Sequence, residues 1–409
     1  MPSQGHVILL RASVAEWNDW RLKNPPIIPD LAGADLSEAN LAGADLFKAN
    51  LSGANISGAK LEGANLSQAA LFRAEGVGAD LRHAALVKAN ISQAELIKAD
   101  LREADLTDAV LVRANLSGAN LSGAVLTGAN LGKAALFRAN LSRAAMNQAS
   151  FFKADLSEAD LSEASLAGAN LQAATLDRAN LSRANITNAN LSSALLVRAN
   201  LSNAVLDNCP VYGMSVSGVD LTGAAQNDLD IMPVDQPVIT VDDLELAQLV
   251  GLLLHHEKAM AKVNDVSLKM ALVLGKFPAE RKAVLGAIKT ALRSEGFCPA
   301  VVDFEIPGAR NMTGIIKTLG RMSAFVIVDL TDDPGVPRVL DAVVHYMPSI
   351  PIQPIVEAGH EGEAESPHYK KFNWVLETFH FIDFEDLVLH LVPMVIAPAQ
   401  AKASELRRR

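Results

Sequence analysis

Glycine, lysine, threonine and acidic residues follow three predicted strands in the second half of the chain. Ligands of doubly wound sheets bind beyond the carboxyl ends of the strands. A carboxylate there can act as a general acid or base, or stabilise a developing oxocarbenium ion. For Asp303 and Asp329 the alternative is that each accepts hydrogen bonds from loop N–H groups, and both interpretations stay open. The candidate ligand contacts are Gly275, Lys276, Asp303, Asp329, Thr331 and Asp332.

Other motifs that carry chemistry are missing from the sequence. His255, His256 and Glu257 do not form the HExxH pattern of zinc sites, and neither GxGxxG nor Walker A glycine spacing occurs. Cys209 and Cys298 have neither metal-ligand nor disulfide-framework spacing, which indicates a reducing compartment. We therefore expect no metal and no cofactor, with NAD or another nucleotide as the alternative.

Composition restricts the class of partner. The 409 residues include 46 acidic and 36 basic ones, for a net charge of −10. This balance argues against nucleic acid and against an anionic membrane as partners. No signal peptide is visible, and the longest apolar runs, near Leu246–Leu254 and Leu387–Ala399, are shorter than a membrane span. We expect a cytoplasmic protein with protein partners.

Short strands and helices alternate after residue 265, an order that predicts a parallel, doubly wound α/β sheet. A linker with two prolines and a helix from Asp242 to Lys262 precede it. The predicted strands are Ala271–Leu274, Ala300–Phe304, Phe325–Leu330, Ile352–Val356 and Phe379–Ile382. The predicted helices are Pro278–Glu295, Thr313–Arg321, Pro337–Met347 and Phe384–Leu391.

Four motifs stand within residues 268–395: LVLGKF (272–277), DFEIPG (303–308), FVIVDLTDD (325–333) and, more loosely, FNW (372–374). On these motifs the region resembles a TIR-like domain of the kind found in bacteria. This resemblance implies a flavodoxin-like sheet and adds Pro307 and Gly308 to the candidate ligand contacts.

TIR-like enzymes cleave NAD with a glutamate just beyond the third strand. In this sequence Val339 stands near that position, and the nearest acids are Asp332, Asp333 and Asp341. The valine at the position of the TIR glutamate argues against NAD cleavage. An aspartate displaced along the loop keeps the enzymatic alternative, an NAD hydrolase, open.

A five-residue repeat occupies the first half of the chain. From Leu31 to Leu221 every fifth residue is a repeat centre, which gives 39 repeats without an insertion. The centre is Leu 31 times, Ala stands two residues before it from Ala34 to Ala204, and Asn or Asp directly precedes it in 23 repeats. The centres other than Leu or Ile are Gly76, Met146, Phe151, Val211 and Val216.

A period of five fits neither an α-helix nor a flat strand. Five residues turn a helix through roughly 500°, and an odd step along a strand alternates faces. A backbone corner in every repeat, supported by Asn or Asp side chains, would instead point each centre and each Ala into a narrow interior. The run ADLSEANLAGADLFKANLSGAN (34–55) accordingly resembles the pentapeptide-repeat family.

The resemblance implies a β-solenoid, a right-handed quadrilateral β-helix with four repeats per coil. Nearly ten coils at about 4.8 Å each give a rod of roughly 45 Å. Rods of this family often pair end to end, so we expect a homodimer or a higher self-assembly. Ser13–Lys23, with capping-box spacing of Ser13 and Glu16, is predicted to form a helix over the N-terminal end. The predicted segments are a cap (1–30), repeats (31–224), linker and helix (225–264), α/β domain (265–400) and basic tail (401–409).

Apolar residues followed by a base lie on the outer surface of eight repeats. With four repeats per coil, Phe72, Val112 and Phe152 fall on one face, and Phe137 belongs to the same class of repeat. Such residues predict a docking surface. The alternative is that each is tolerated under the aliphatic stem of its neighbour.

Three functions follow from these patterns. The first is a non-catalytic scaffold, with a rod for docking or assembly and a TIR-like domain for self-association or nucleotide sensing. The second is an NAD-cleaving effector in bacterial defence against phage. The third is a DNA mimic that binds a type II topoisomerase, as some pentapeptide-repeat proteins do. The rod holds 18 acids and 15 bases, a weak charge for such a mimic.

Overall fold

The computed structural model describes residues 3–233, 238–255, 269–304, 312–331, 335–348, 350–360 and 367–407. The chain divides into two compact units, Met1–Gln226 and Asn227–Arg409. The first unit contains the repeats and the second contains the α/β sheet.

The repeat unit is a solenoid with four repeats per coil. Parallel bridges join residues 20 apart, from Asp30 with Asn50 to Val205 with Ala225. Each repeat turns between its centre and the next Ala, as where the Ala34 N–H donates to the Leu31 carbonyl over 3.0 Å. This confirms the β-solenoid and the corner predicted in every repeat.

The corners depend on local backbone conformation. The second residue after the centre is left-handed in nearly every repeat, with φ of +68° at Gly33 and +53° at Glu38, as a type II turn requires at its third position. The Asn or Asp before the centre accepts the next-but-one N–H, for example from Ser37 to Asp35 Oδ1 over 3.1 Å. Such side-chain bonds favour the turn over a helix or a strand.

The interior consists of stacked Leu and Ala columns. The Leu centres from Leu31 to Leu206 and the Ala residues from Ala44 to Ala204 are at most 2% exposed, and each buried Leu contributes about 2 kcal/mol of apolar transfer energy. The exception at Gly76 leaves no gap, because a Cβ there would lie 2.8 Å from Leu96 Cδ2 and 3.1 Å from Ile56 Cγ1. The stacked neighbours therefore fill the missing side chain's place.

Two helices cover the first coil, α1 (Gln4–Ala12) and α2 (Val14–Lys23). The predicted helix at Ser13–Lys23 is confirmed as α2, and the Ser13 side chain accepts the Glu16 N–H over 3.2 Å. Helix α1 was not predicted. Side chains from α2 bind backbone groups of the first coil: Trp17 Nε1 donates to Asp45 O over 2.9 Å, and Arg21 Nη2 donates to Phe47 O over 2.9 Å. These bonds satisfy a strand edge that would otherwise be open.

The second unit has a seven-stranded sheet in the order β1-β2-β4-β3-β5-β6-β7. Its strands are β1 (Leu229–Asp230), β2 (Ile239–Val241), β3 (Met270–Gly275), β4 (Cys298–Asp303), β5 (Phe325–Asp329), β6 (Ile352–Glu357) and β7 (Phe379–Phe381). Its helices are α3 (Leu244–His255), α4 (Lys282–Ser294), α5 (Met312–Met322), α6 (Gly335–Val343), α7 (Pro367–Lys370), α8 (Phe384–His390) and α9 (Ala397–Arg407). Short 3₁₀ turns lie at Ala279–Arg281 and Val344–Tyr346, and a π-helical segment, Leu391–Ile396, links α8 to α9.

Strands β3 to β7 run parallel, and β3, β5 and most of β6 are buried on both faces. The core on one face includes Val273, Ile327 and Ile288 of α4 with Leu391 of the π-helical segment. The sequences of such strands are continuous apolar runs, because helices cover both sides of a parallel sheet. The predicted α/β sheet with five parallel strands is thereby confirmed.

The prediction of a linker after the repeats was partly wrong. Within residues 225–264, β1 and β2 extend the sheet antiparallel to β4, with Ile239 opposite Val302. Lys289 of α4, itself buried, pairs with Asp228 and with Asp242, which holds this edge against the helix. The predicted basic tail (401–409) is helical as far as Arg407, as part of α9.

One described helical stretch, Phe384–Leu406, is long and apolar enough to span a membrane by length and composition alone. The sequence-based expectation considered only shorter runs. A third of the most apolar window is buried, and Leu387, Leu391 and Val395 belong to the core below the sheet. Other apolar residues of the same stretch, Val388, Leu389 and Met394, are exposed.

Candidate functional site

A buried ion network lies at the carboxyl ends of the parallel strands. Arg281, in the 3₁₀ turn after β3, donates through Nη2 to Asp329 Oδ2 and through Nη1 to Glu357 Oε2, each over 2.6 Å. The side chains of Arg281 and Asp329 are 7% and 2% exposed, whereas that of Glu357 is 33% exposed. The guanidinium thus joins the ends of β5 and β6. Sequence reasoning missed Arg281 and Glu357, because nothing in their spacing of 76 residues predicts the contact.

The second oxygen of Asp329 is also engaged within the protein. Asp329 Oδ1 accepts the Thr331 N–H over 3.1 Å and the Thr331 hydroxyl over 2.7 Å. Thr331 Oγ1 in turn accepts the Glu357 N–H over 3.1 Å. This arrangement matches the alternative interpretation of Asp329, a carboxylate that satisfies loop N–H groups at a strand end.

Asp303, at the end of β4, is arranged in the same way. Its Oδ1 accepts the Phe277 N–H over 3.0 Å, and its Oδ2 accepts from Lys282 Nζ over 3.2 Å. Gly275 is buried beside this pair, and a Cβ there would lie 2.6 Å from the Phe277 ring. Lys276 is half-buried. Both predicted strand-end aspartates therefore hold the loops of their own unit together.

The remaining predicted contacts are distributed differently. Pro307, Gly308 and Asp332 lie outside the residues that the structure describes, as does Asp333. Val339, which stands near the position of the TIR glutamate, is half-buried on α6, and Asp341 follows on the same helix. Within the part of the chain that the structure describes, no group of three or more metal-binding side chains occurs.

Neither cysteine is placed for nucleophilic chemistry. Cys209 is buried in the solenoid and Cys298 begins β4, and both are free thiols. Burial raises the pKa of each thiol to about 12. The reactive thiolate is therefore scarce at neutral pH.

On the rod, the predicted surface residues separate onto two faces. Phe72, Val112 and Phe152 are half-buried and occupy one face, at every second coil. Between the last two lies Gly132, which is buried. Phe137 is 36% exposed and belongs to the adjacent face.

The four outer phenylalanines each stack with the following base. Arg73 lies 5.0 Å from the centroid of the Phe72 ring, and Arg138 lies 4.8 Å from that of Phe137. The same contact joins Lys48 with Phe47 and Lys153 with Phe152, each at 5.1 Å. At exposed sites such contacts contribute about 0.5–1 kcal/mol. The rings are partly covered, as the alternative interpretation expects, and stay partly exposed to solvent.

Ion pairs within repeats and between coils neutralise acids on the three faces that lack Phe72. Arg138 Nε pairs with Glu158 over 2.7 Å, and Arg82 Nη2 pairs with Glu62 over 2.9 Å. The arginines with a carboxylate within 4.0 Å are Arg82, Arg102, Arg138, Arg143, Arg178, Arg183 and Arg198. Exposed pairs of this kind add little stability each, but they flatten the negative potential of the rod.

Acid should weaken the solenoid. Hydrogen bonds from Arg82 and Arg102 lower the pKa values of Asp80 and Asp100. A lowered carboxyl pKa stabilises the fold above the unfolded value of 3.8, and this contribution is lost as the pH falls through the folded value. We expect the melting temperature of the repeat unit to fall between pH 4 and pH 2, measured by circular dichroism. The Asp80→Asn/Asp100→Asn variant should show a shallower fall, and an unchanged slope would contradict this assignment.

Comparisons with known proteins concern the repeats. A family model for pentapeptide repeats matches in eight copies, over residues 30–72, 77–113, 104–143, 114–151, 154–192 and 184–223. A similar solved structure is HetL, a pentapeptide repeat protein involved in heterocyst differentiation regulation from the cyanobacterium Nostoc sp. strain PCC 7120. It is 35% identical, the match covers 51% of this chain and 94% of HetL, and the TM-score is 0.37.

Full-length QnrB1, a plasmid-mediated fluoroquinolone resistance protein, is 17% identical; the match covers 44% of this chain and 90% of QnrB1, with a TM-score of 0.28. A pentapeptide repeat protein from the Arabidopsis thaliana thylakoid lumen is 28% identical, with 34% of this chain and 74% of that chain covered and a TM-score of 0.20. A search of curated proteins gave no match.

Proposed function

The chain belongs to the pentapeptide-repeat family through residues 30–223, and from this premise we propose that it is a non-catalytic protein-interaction scaffold. The rod is the docking element, and the α/β unit is a TIR-like signalling module. The observation that carries the proposal is the regular surface of the rod, where apolar side chains are held half-exposed beside bases on a rigid backbone.

The order of the parallel strands supports the TIR-like assignment. Counted along the chain, the five parallel strands β3 to β7 lie in the order 2-1-3-4-5, which is the flavodoxin-like order. The motif FVIVDL corresponds to β5 and LVLGKF covers the end of β3. Self-association and nucleotide sensing by this unit, and a cytoplasmic location, are part of the proposal.

The contacts of the strand-end carboxylates favour a scaffold over an NAD hydrolase. Asp303 and Asp329 use both carboxylate oxygens within the unit, and helix α6 carries no glutamate. We expect no nicotinamide release when the purified protein is incubated with NAD and the products are separated by liquid chromatography. Release that Asp332→Ala removes would overturn the non-catalytic assignment.

The paired arginines argue against the DNA-mimic function. A mimic of DNA needs a strongly negative rod, whereas six arginines pair with acids of the adjacent coil and Arg102 pairs with Asp100 of its own repeat. We therefore expect the protein not to inhibit supercoiling by a type II topoisomerase.

Docking itself is tested by photo-crosslinking in the cells of origin. A benzophenone amino acid is placed at Ser92, Ser117, Ser122 or Thr127, which occupy the same position of the repeat on four different faces. We expect crosslinks to another polypeptide from one or two faces only. Crosslinks from none of the four would overturn the docking function, and crosslinks to a second copy would identify the expected homodimer.

A further inference from the structure

One of the four faces of the solenoid carries a single acidic residue, Asp30, at its N-terminal end. Residues 20 apart stack in adjacent coils, so the repeats sort into four faces. This face, named here the Phe72 face, consists of the outward residues of the repeats centred on Leu31 and on every twentieth residue to Val211. Between residues 31 and 224 the Phe72 face holds no acid and four bases. The next three faces hold, in order, seven acids and four bases, seven acids and five bases, and four acids and two bases.

The four bases of the Phe72 face form a single row. Arg73, Arg113, Lys133 and Lys153 occupy the same position of the repeat and are all exposed, with Gln93 completing the row. Adjacent members are about 4.8 Å apart along the rod, so the row extends about 19 Å. Arg113, Lys133 and Lys153 are consecutive, which places three like charges next to one another.

The arginines of this row differ from those of the other faces in their pairing, whereas the lysines of all faces have no carboxylate within 4.0 Å in the described part of the rod. On the neighbouring faces every arginine has a carboxylate within 4.0 Å. Within the described ranges, none of the four bases on the Phe72 face has one. Arg73 donates to Gln93 Oε1 over 2.9 Å, and Lys153 lies over the Phe152 ring. Stacked cations without counter-charges repel one another, and an anionic partner would relieve that repulsion.

An apolar row runs beside the cations. Phe72, Val112 and Phe152 project at every second coil, about 9.6 Å apart. The smaller residues Ser92 and Gly132 lie between these three and leave gaps in the apolar row. Seven residues of an α-helix span about 10.5 Å, and a helix is about 10–12 Å wide. A helix with an apolar residue every seventh position therefore matches both the spacing of these projections and the width of one face.

We propose that the Phe72 face binds an amphipathic helix of a partner protein, with acidic residues flanking its apolar stripe. This inference rests on the docking function proposed above and assigns its surface and the chemistry of its partner. Duplex DNA fits poorly, because a wide polyanion would meet the acid-rich neighbouring faces. The same face of a second copy fits poorly, because a symmetric pairing would oppose the two basic rows.

The test uses a synthetic probe with the full-length protein. The probe is a fluorescein-labelled helical peptide of 22 residues with leucine at every seventh position and glutamate on both flanks. We expect the anisotropy to rise on titration, and the affinity to fall at least tenfold between 50 mM and 500 mM salt. A peptide with lysine in place of each glutamate should not bind.

Matched variants locate the binding face. The triple variant Arg113→Glu/Lys133→Glu/Lys153→Glu should weaken peptide binding at least tenfold. The control triple Lys48→Glu/Lys88→Glu/Lys98→Glu makes the same charge change at the same position of the repeat on other faces, and should weaken it less than twofold. Folding is preserved in both, because Glu38, Glu103, Glu158 and Glu163 already occupy this left-handed position.

The apolar row is tested separately by Val112→Ser/Phe152→Ser against Phe47→Ser/Phe137→Ser. Serine is common at this position of the repeat, as at Ser92 and Ser117. Only the first pair should lose peptide affinity.

Four outcomes would overturn the inference. These are equal losses in both triple variants, absence of peptide binding, tighter binding of a 20-base-pair duplex or of phosphatidylserine vesicles than of the peptide, and conversion of a dimer to a monomer by the triple variant. Crosslinks from Ser117, Ser122 or Thr127 but not from Ser92 would leave the docking function standing and remove the Phe72 face from it.

Discussion

Substitution of Trp17 by alanine should lower the free energy of unfolding of the repeat unit by about 3–5 kcal/mol, the range for a large buried aromatic side chain. Trp17 is fully buried, its ring contacts those of His6 and Trp20, and its Nε1 donates to the Asp45 carbonyl of the first coil. Removing it opens a cavity and leaves that carbonyl without its donor. The edge of the first coil would then be exposed as a template for strand pairing.

The measurement combines thermal unfolding with light scattering over a range of protein concentrations. We expect Trp17→Ala to melt earlier and to form concentration-dependent oligomers. Leu22→Ala, on the same helix at a residue that is 80% exposed, should change the free energy of unfolding by less than about 0.5 kcal/mol. A monomeric Trp17→Ala protein with the stability of the control would show that α1 and α2 do not protect the end of the rod.

Replacement of Arg281 by alanine should lower the free energy of unfolding of the α/β unit by about 3–5 kcal/mol, because it leaves Asp329 charged and buried without its cation. Arg281 bridges Asp329 and Glu357 at the ends of two adjacent strands. The desolvated carboxylate would keep only its two bonds from Thr331. We expect the loops that follow β5 and β6 to loosen together.

Lys282→Ala is the matched control, because Lys282 is the next residue and 57% of its side chain is accessible, although its partner Asp303 is 15% accessible. That change should cost less than about 1 kcal/mol. Calorimetry can separate the transitions of the two units, and hydrogen exchange of peptides from β5 and β6 reports on the site. The double variant Arg281→Met/Asp329→Leu should recover much of the loss, whereas equal effects of Arg281→Ala and Lys282→Ala would refute the buried pair.

The Arg281 variants would separate structural from functional roles at the strand ends. If Arg281→Ala lowers only the stability of the α/β unit, then the ion network around Arg281 has a structural role. It holds the loops of a unit whose proposed activity is recognition. The Phe72 face would in that case be the main source of specificity in the chain. The two units could then be varied independently, the rod by its outer residues and the α/β unit by its loops.

The period of five determined the solenoid directly. A buried stripe of Leu and Ala at that spacing has no solution on a helix or a flat strand, so a corner in every repeat follows from local chemistry. The predicted strands and helices of the α/β unit were also close to the observed ones, since buried parallel strands are continuous apolar runs. Strands β1 and β2 were missed because two or three residues carry no periodic signal and depend on β4 for their pairing.

Contacts between distant residues were decided by tertiary structure. Asp303 and Asp329 were recognisable as strand-end carboxylates, but their partners were not. Arg281 meets Asp329 and Glu357 only because β3, β5 and β6 are neighbours in the sheet. The sequence by itself therefore determined which side chains point inward, through local periodicity. Which charges find a partner and which, like the row from Arg113 to Lys153, remain without a counter-charge depends on stacking across coils and strands, because electrostatic pairing is set by distance in space.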